Sequence, residues 1–112
     1  MAMYYGTSAS EVIDVTSWVP VYPETATGVL AGAGNDTIYG SAYVDLIQGQ
    51  DGNDLMYGNN GDDGLVGGNG NDTLYGGNGA DSLLSGAGDD RLLGGAGNDL
   101  MYGGTGNDIY YH

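Results

Sequence analysis

The chain has 112 residues, fifteen acids against a single base (Arg91), a formal charge of −14, 24 glycines and no cysteine. That length fits one domain at most, the charge opposes binding to nucleic acid or insertion into anionic membrane, which reward Lys and Arg, and no run reaches the ~20 apolar residues of a transmembrane helix. No disulfide can staple the fold, and an acidic chain repels itself when compact, so stability has to come from another source.

Residues 1–30 carry no strict period and read as an N-terminal cap. Met1-Ala2-Met3-Tyr4-Tyr5 has neither a basic n-region nor an apolar h-region, so no Sec signal is expected. Gly6 to Asp14 looks like a worn copy of the nine-residue phrase that follows, with Glu11 at its sixth position and Ile13 at its eighth. Trp18, Val19, Val21 and Tyr22, broken by Pro20 and Pro23, suit an atypical terminal unit, with Trp18 as a plug over the first coil or, alternatively, the centre of a small ligand pocket.

From Ala31 to Tyr111 one phrase, G-G-x-G-x-D-x-U-x with U large and apolar, is repeated nine times without a gap. Copies start at Ala31, Gly40, Gly49, Gly58, Gly67, Gly76, Ser85, Gly94 and Gly103. Position six is always aspartate: Asp36, Asp45, Asp54, Asp63, Asp72, Asp81, Asp90, Asp99 and Asp108. Position eight is Ile38, Ile47, Met56, Leu65, Leu74, Leu83, Leu92, Met101 and Tyr110. A fixed period of this kind marks a solenoid.

Each copy divides into six Gly/Asn/Asp-rich residues suited to a turn with positive φ and three β-formers with an apolar centre, such as Thr73-Leu74-Tyr75. Neighbours in a strand face opposite ways. Position eight therefore points to a core and positions seven and nine away from it. Turn, strand, turn, strand makes a coil of eighteen residues, stacked at the strand spacing of ~4.8 Å. The predicted fold is all-β: two parallel sheets across a thin core, with right-handed crossovers. Gly64 in the strand of the fourth copy weakens pairing there, and His112 reads as a frayed end.

Stacking puts Asp36, Asp54, Asp72, Asp90 and Asp108 along one edge and Asp45, Asp63, Asp81 and Asp99 along the other. Carboxylates that close repel without a bridging cation. Oxygen-only ligands suit a hard ion; zinc and copper have no thiolate or imidazole cage here. Calcium accepts six to eight oxygens at flexible angles, whereas magnesium wants a tight octahedron. Calcium is the expected metal.

These nine copies resemble the RTX family of hemolysin-type calcium-binding repeats. The resemblance covers residues 31–111 and implies a right-handed parallel β-roll, a calcium-bound β-solenoid. It implies an ion between each turn and the next on the same edge, held by both aspartates and by turn carbonyls. Those carbonyls belong to Gly49, Gly58, Gly67, Gly76, Ser85, Gly94 and Gly103 at position one, and Gly32, Gly68, Gly77 and Gly86 at position two. Asp51, Asn60, Asn69, Asn78, Ala87, Ala96 and Thr105 supply position three, and Gly34, Gly52, Gly61, Gly70, Gly79 and Gly88 position four. Four gaps on one edge and three on the other give up to about seven ions. Ser41, Ala42 and Tyr43 depart from the pattern and put the Asp45–Asp63 site in question. Asp51, Asp62 and Asp89, beside the turns, read as solvated surface.

The resemblance further implies a secreted bacterial protein exported by a type I system. Members of the family usually continue into a capping segment and a C-terminal secretion signal, neither of which is present up to His112, so the chain is expected to be an excised piece or to have its stack end closed by another chain. The resemblance also implies neighbouring domains of a larger parent. An uncapped C-terminal coil, with Leu92, Met101 and Tyr110 closing the core, is expected to self-associate. No H-E-x-x-H, G-x-S-x-G or Cys nucleophile is present, so no enzymatic activity is expected of the chain itself. Two other roles come from the outer rows. Tyr39, Tyr57, Tyr75, Leu93 and Tyr111 form a stacked stripe or a face for a sugar or partner, as in a substrate-binding accessory module of a protease, lipase or alginate epimerase. Asn35, Asn53, Asn71, Asp89 and Asn107 reflect tolerance of turn dihedrals, or half of an ice-binding array whose threonine half fails at Ala33, Asp51, Asn69, Ala87 and Thr105.

Overall fold

The computed structural model describes residues 2–17 and 26–111; Trp18, Pro20 and Pro23 with their neighbours, and His112, lie outside the described residues. All regular structure among the described residues is strand. One sheet contains β1 (Ala2–Tyr5), β3 (Ala26–Leu30), β5 (Val44–Gln50), β7 (Gly64–Asn69), β9 (Ser82–Ala87) and β11 (Leu100–Tyr102), in that order. The other runs β2 (Val12–Asp14), β4 (Thr37–Tyr39), β6 (Leu55–Tyr57), β8 (Thr73–Asn78), β10 (Arg91–Ala96) and β12 (Ile109–Tyr111). Every pairing is parallel. The chain is a β-solenoid of the parallel β-roll type.

From Ala26 onward paired residues are eighteen apart, as in Leu74↔Leu92 and Leu65↔Leu83. The first coil is longer by seven residues: Val12 pairs with Thr37 and Met3 with Gly28. Ile13 is buried in register with Ile38. Val29, nine residues before Ile38, is buried in register with Ile47, so the segment expected to act as a cap also contributes to the core.

Position eight forms the core as expected. Ile38, Ile47, Met56, Leu65, Leu74, Leu83 and Leu92 are wholly buried, and the alternating exposure along β8 and β10 puts positions seven and nine outside. Tyr110 departs from this row. It is 47% exposed, and its hydroxyl accepts the Gly103 N–H at 2.7 Å. The phenol satisfies a turn donor instead of filling a core. Met101 is only partly buried against the core.

The turns are tighter than six residues. In β7 to β10 the ladder continues through positions one to three of the next copy, as Gly77↔Gly95 and Asn78↔Ala96 show. Only positions four to six leave the sheet. Gly64 pairs normally on both sides, with Leu46 and Ser82.

Position four explains its glycine. Gly70 has φ +106°, and a Cβ there would land on the carbonyl of Gly52 one coil earlier. Gly52 stands in the same relation to Gly34. Both the left-handed backbone and the close approach exclude a side chain.

Gly70→Ala should therefore destabilise the folded chain by more than about 2 kcal/mol. Gly64→Ala should stay within about 1 kcal/mol, because its Cβ would meet only the flexible Leu46 Cδ1, at 3.2 Å. Thermal unfolding of the two variants in calcium checks this; equal losses would contradict the packing.

Candidate metal centre

Each position-six aspartate carries two differently placed oxygens. Oδ1 accepts the backbone N–H of the aspartate one coil earlier: Asp54 from Asp36 at 2.9 Å, Asp72 from Asp54 at 2.8 Å, Asp90 from Asp72 at 2.7 Å and Asp108 from Asp90 at 3.0 Å. The other edge repeats this with Asp63, Asp81 and Asp99 as acceptors, at 2.8 to 2.9 Å. Both edges are thus closed by carboxylate ladders running along the stack.

Oδ2 turns inward over the position-one residue of its own copy. A Cβ on Gly67 would lie 2.5 Å from Asp72 Oδ2, and one on Gly40 2.6 Å from Asp45 Oδ2. Glycine at position one leaves room for the carboxylate. In Asp36, Asp54, Asp63, Asp72, Asp81 and Asp90, Oδ2 is buried and has no hydrogen-bond partner. An ionised, buried, unpartnered oxygen is costly. It needs a proton or a cation.

Burial, with the neighbouring carboxylates, pushes these groups up: Asp54 and Asp81 to about 6, Asp72 to about 7 and Asp63 to about 8. Asp36 and Asp90 are raised by the same cause. The backbone N–H donors pull the other way and do not compensate.

The donor set fits a hard cation. Among the described residues no three His, Cys, Asp or Glu converge on one point, so carbonyls must complete any shell. Turn carbonyls are at hand. Those of Gly34, Gly52, Gly61 and Gly70 each face the α-carbon of the position-four glycine one coil on. The carbonyls of Ala87, Ala96 and Thr105 accept the N–H groups of Gly70, Gly79 and Gly88 at 3.1 to 3.2 Å; a carbonyl has a second lone pair for a metal.

Position-three side chains point away from the carboxylates. Asp51, Asn60, Asn69, Asn78 and Thr105 are exposed. Asn69 Nδ2 donates to Asp51 Oδ1 at 3.1 Å and Asn78 Nδ2 to Asn60 Oδ1 at 2.9 Å. These residues offer a metal only their backbone.

Two features escaped the sequence reading. In the second copy, Ser41 supplies both N–H and Oγ–H to Asp45, at 2.8 Å each, so this carboxylate has donors from its own turn. Neither Ser41 nor Tyr43 adopts the positive φ seen at positions two and four of other copies, such as Gly68 and Gly70. The position-five asparagines do not themselves take positive φ either. Instead the oxygens of Asn35 and Asn53 accept the N–H of Asn53 and Asn71 at 2.8 Å, and Asn71 and Asp89 continue the line to Asn107. This ladder runs opposite to that of the aspartates, and the signal for it was the eighteen-residue recurrence itself.

The tyrosine stripe is a stack. Tyr39 and Tyr57 lie 5.1 Å apart at 4°, and Tyr57 and Tyr75 4.8 Å apart at 5°. Their faces cover one another.

The pattern-based comparison agrees with this geometry. The family model for the RTX calcium-binding nonapeptide repeat (4 copies) matches residues 30–65, 65–92 and 75–110, together more than half of the chain. Comparison with curated proteins and with solved structures gave no match.

The raised aspartate pKa values fix the sign of a pH effect. A folded-state pKa above the ordinary 3.8 favours the fold fully below that value and loses the contribution as pH rises through about 6 to 8. In EDTA, the β signal in circular dichroism should therefore fall between pH 6 and pH 8. An unchanged signal across that window would mean that the buried carboxylates do not control metal-free folding.

Proposed function

This chain belongs to the family of RTX calcium-binding nonapeptide repeats, and on that premise we propose a structural module that stays unfolded at low calcium and folds around Ca2+ outside the cell. It is a calcium-binding β-roll. The finer reading assigns it to a protein exported by a type I system, with the position-six aspartates and the turn carbonyls of the neighbouring coil as ligands.

One observation carries this reading: six buried Oδ2 atoms with no partner, on carboxylates whose Oδ1 atoms are already held by the backbone N–H of the coil before. A metal-free fold at neutral pH leaves these charges unsatisfied. A divalent ion in the gap supplies the missing charge, so binding energy becomes folding energy. Extracellular calcium modules work at roughly 10⁻⁴–10⁻³ M, far above cytosolic calcium, which keeps the chain open until export. Up to about seven such gaps exist between matched turns.

The strands β11 and β12 end their sheets, with Leu100, Tyr102, Ile109 and Tyr111 exposed. In the proposed role these edges meet a neighbouring domain of the parent protein or, in the isolated chain, another copy.

A calcium titration followed by circular dichroism should show a cooperative change from coil to β at pH 7.5, reversed by EDTA. A chain equally β-rich in EDTA at that pH would refute the reading. Within it, Asp72→Ala should raise the calcium midpoint several-fold more than Asp108→Ala. Asp72 is buried between two coils, with Oδ1 bound to Asp54 and its own N–H bound to Asp90, whereas Asp108 is partly exposed in the last turn. Sedimentation of the calcium-loaded chain at several concentrations should show self-association that is absent in EDTA.

A further inference from the structure

The turn Gly6–Glu11 lies outside the residues matched to the family, and its sixth position is glutamate. It nevertheless stacks on the turn Ala31–Asp36 as the matched turns stack on each other. Glu11 N–H donates to Asp36 Oδ1 at 2.9 Å, as Asp36 N–H does to Asp54 Oδ1. Gly6 N–H donates to the Leu30 carbonyl at 2.7 Å, as Gly40 N–H does to that of Tyr57. The Glu11 carboxylate accepts the Thr7 N–H, as that of Asp45 accepts the Ser41 N–H. A Cβ on Gly34 would meet the Ala9 carbonyl at 2.6 Å, and one on Gly61 meets that of Tyr43 at the same distance. The Ala9 carbonyl therefore stands where that of Tyr43 stands in the second copy, and a Cβ on Gly32 would land on the Thr7 carbonyl as one on Gly68 would on that of Gln50 at position two.

The second observation concerns charge. Asp36 is 1% exposed and its Oδ2 has no hydrogen-bond partner. Through Oδ1 this carboxylate is held against the Gly6–Glu11 turn, not against the turn that follows it. The groups facing it from that turn are oxygens and N–H donors, with a second carboxylate from Glu11. We propose that the gap between the turns Gly6–Glu11 and Ala31–Asp36 is a further calcium site, built from the Glu11 and Asp36 carboxylates and the Thr7 and Ala9 carbonyls. It rests on the calcium-binding reading of the matched turns and extends it to the N-terminal coil. Glutamate supplies the same carboxylate on a side chain one methylene longer, and a hard cation accepts the change in bite because its coordination angles are flexible. Order in the first coil then depends on calcium like the rest of the roll.

Anomalous scattering from crystals of the unaltered chain grown in calcium chloride decides the matter. The expected result is a peak at Asp36 and Glu11 in addition to peaks between matched turns. Peaks between matched turns with none at Glu11 would overturn the proposal while leaving the calcium-binding reading intact; no peaks anywhere would remove both. In solution, equilibrium dialysis at saturating calcium should give one ion fewer per chain for Glu11→Gln than for the unaltered protein. Asp62→Asn, which loses the same charge but keeps an oxygen to accept the Ala80 N–H, should bind the unaltered number. Equal stoichiometry in Glu11→Gln would also overturn the proposal, and the crystallographic result stands whether or not that variant folds.

Discussion

A row of buried carboxylates governs this structure, because each one is asked to do two incompatible things. Its Oδ1 takes the backbone N–H of the aspartate one coil earlier, which fixes the distance and register between coils. Its Oδ2 is then left inside the turn without a donor. The turn cannot relieve this by itself. Position one must be small to leave the carboxylate room, and position four, glycine in every copy but the second, lets the carbonyl of the preceding coil approach. The same compression that builds the turn makes it a cavity of negative charge, and a hard cation or a proton is what completes it.

The core cannot carry that cost unaided. It is two facing rows thick, Ile13, Ile38, Met56, Leu74 and Leu92 from one sheet against Val29, Ile47, Leu65 and Leu83 from the other, and the outer faces of the sheets remain open to solvent. Much of the cohesion is instead longitudinal. Aspartate ladders run in one direction along the stack and the asparagine ladder in the other, so successive coils are clasped both ways. Each coil depends on its neighbours, which is the condition under which a repeat array folds as a cooperative unit.

The charge follows the same logic. An acidic chain with one basic residue repels itself, and a glycine-rich one loses much entropy on ordering. In the proposed role both properties oppose folding where calcium is scarce and are overcome where it is plentiful. In the proposed role a module of this composition needs no protease, disulfide or chaperone to tell the two sides of a membrane apart; ion concentration is enough.

The nine-residue period alone determined the architecture: the coil of eighteen, the two parallel sheets, the inward file of position-eight residues and the alignment of aspartates along both edges. Those are consequences of strand alternation and of strict repetition, and neither needs knowledge of distant contacts. Tertiary structure decided what a period cannot express. Val29 joins the core because β3 is held against β5, although its own copy lacks the pattern's aspartate. Tyr110 leaves the core, its hydroxyl bound to the turn N–H of Gly103. Ser41 takes over the donor role in an irregular turn, and the position-five asparagines serve as acceptors instead of positive-φ residues because the next coil presents its N–H groups at hydrogen-bonding distance. Which of an aspartate's two oxygens is spent on the backbone, and which is left for a cation, follows from how one coil lies on the next, and only the stacked coils hold that information.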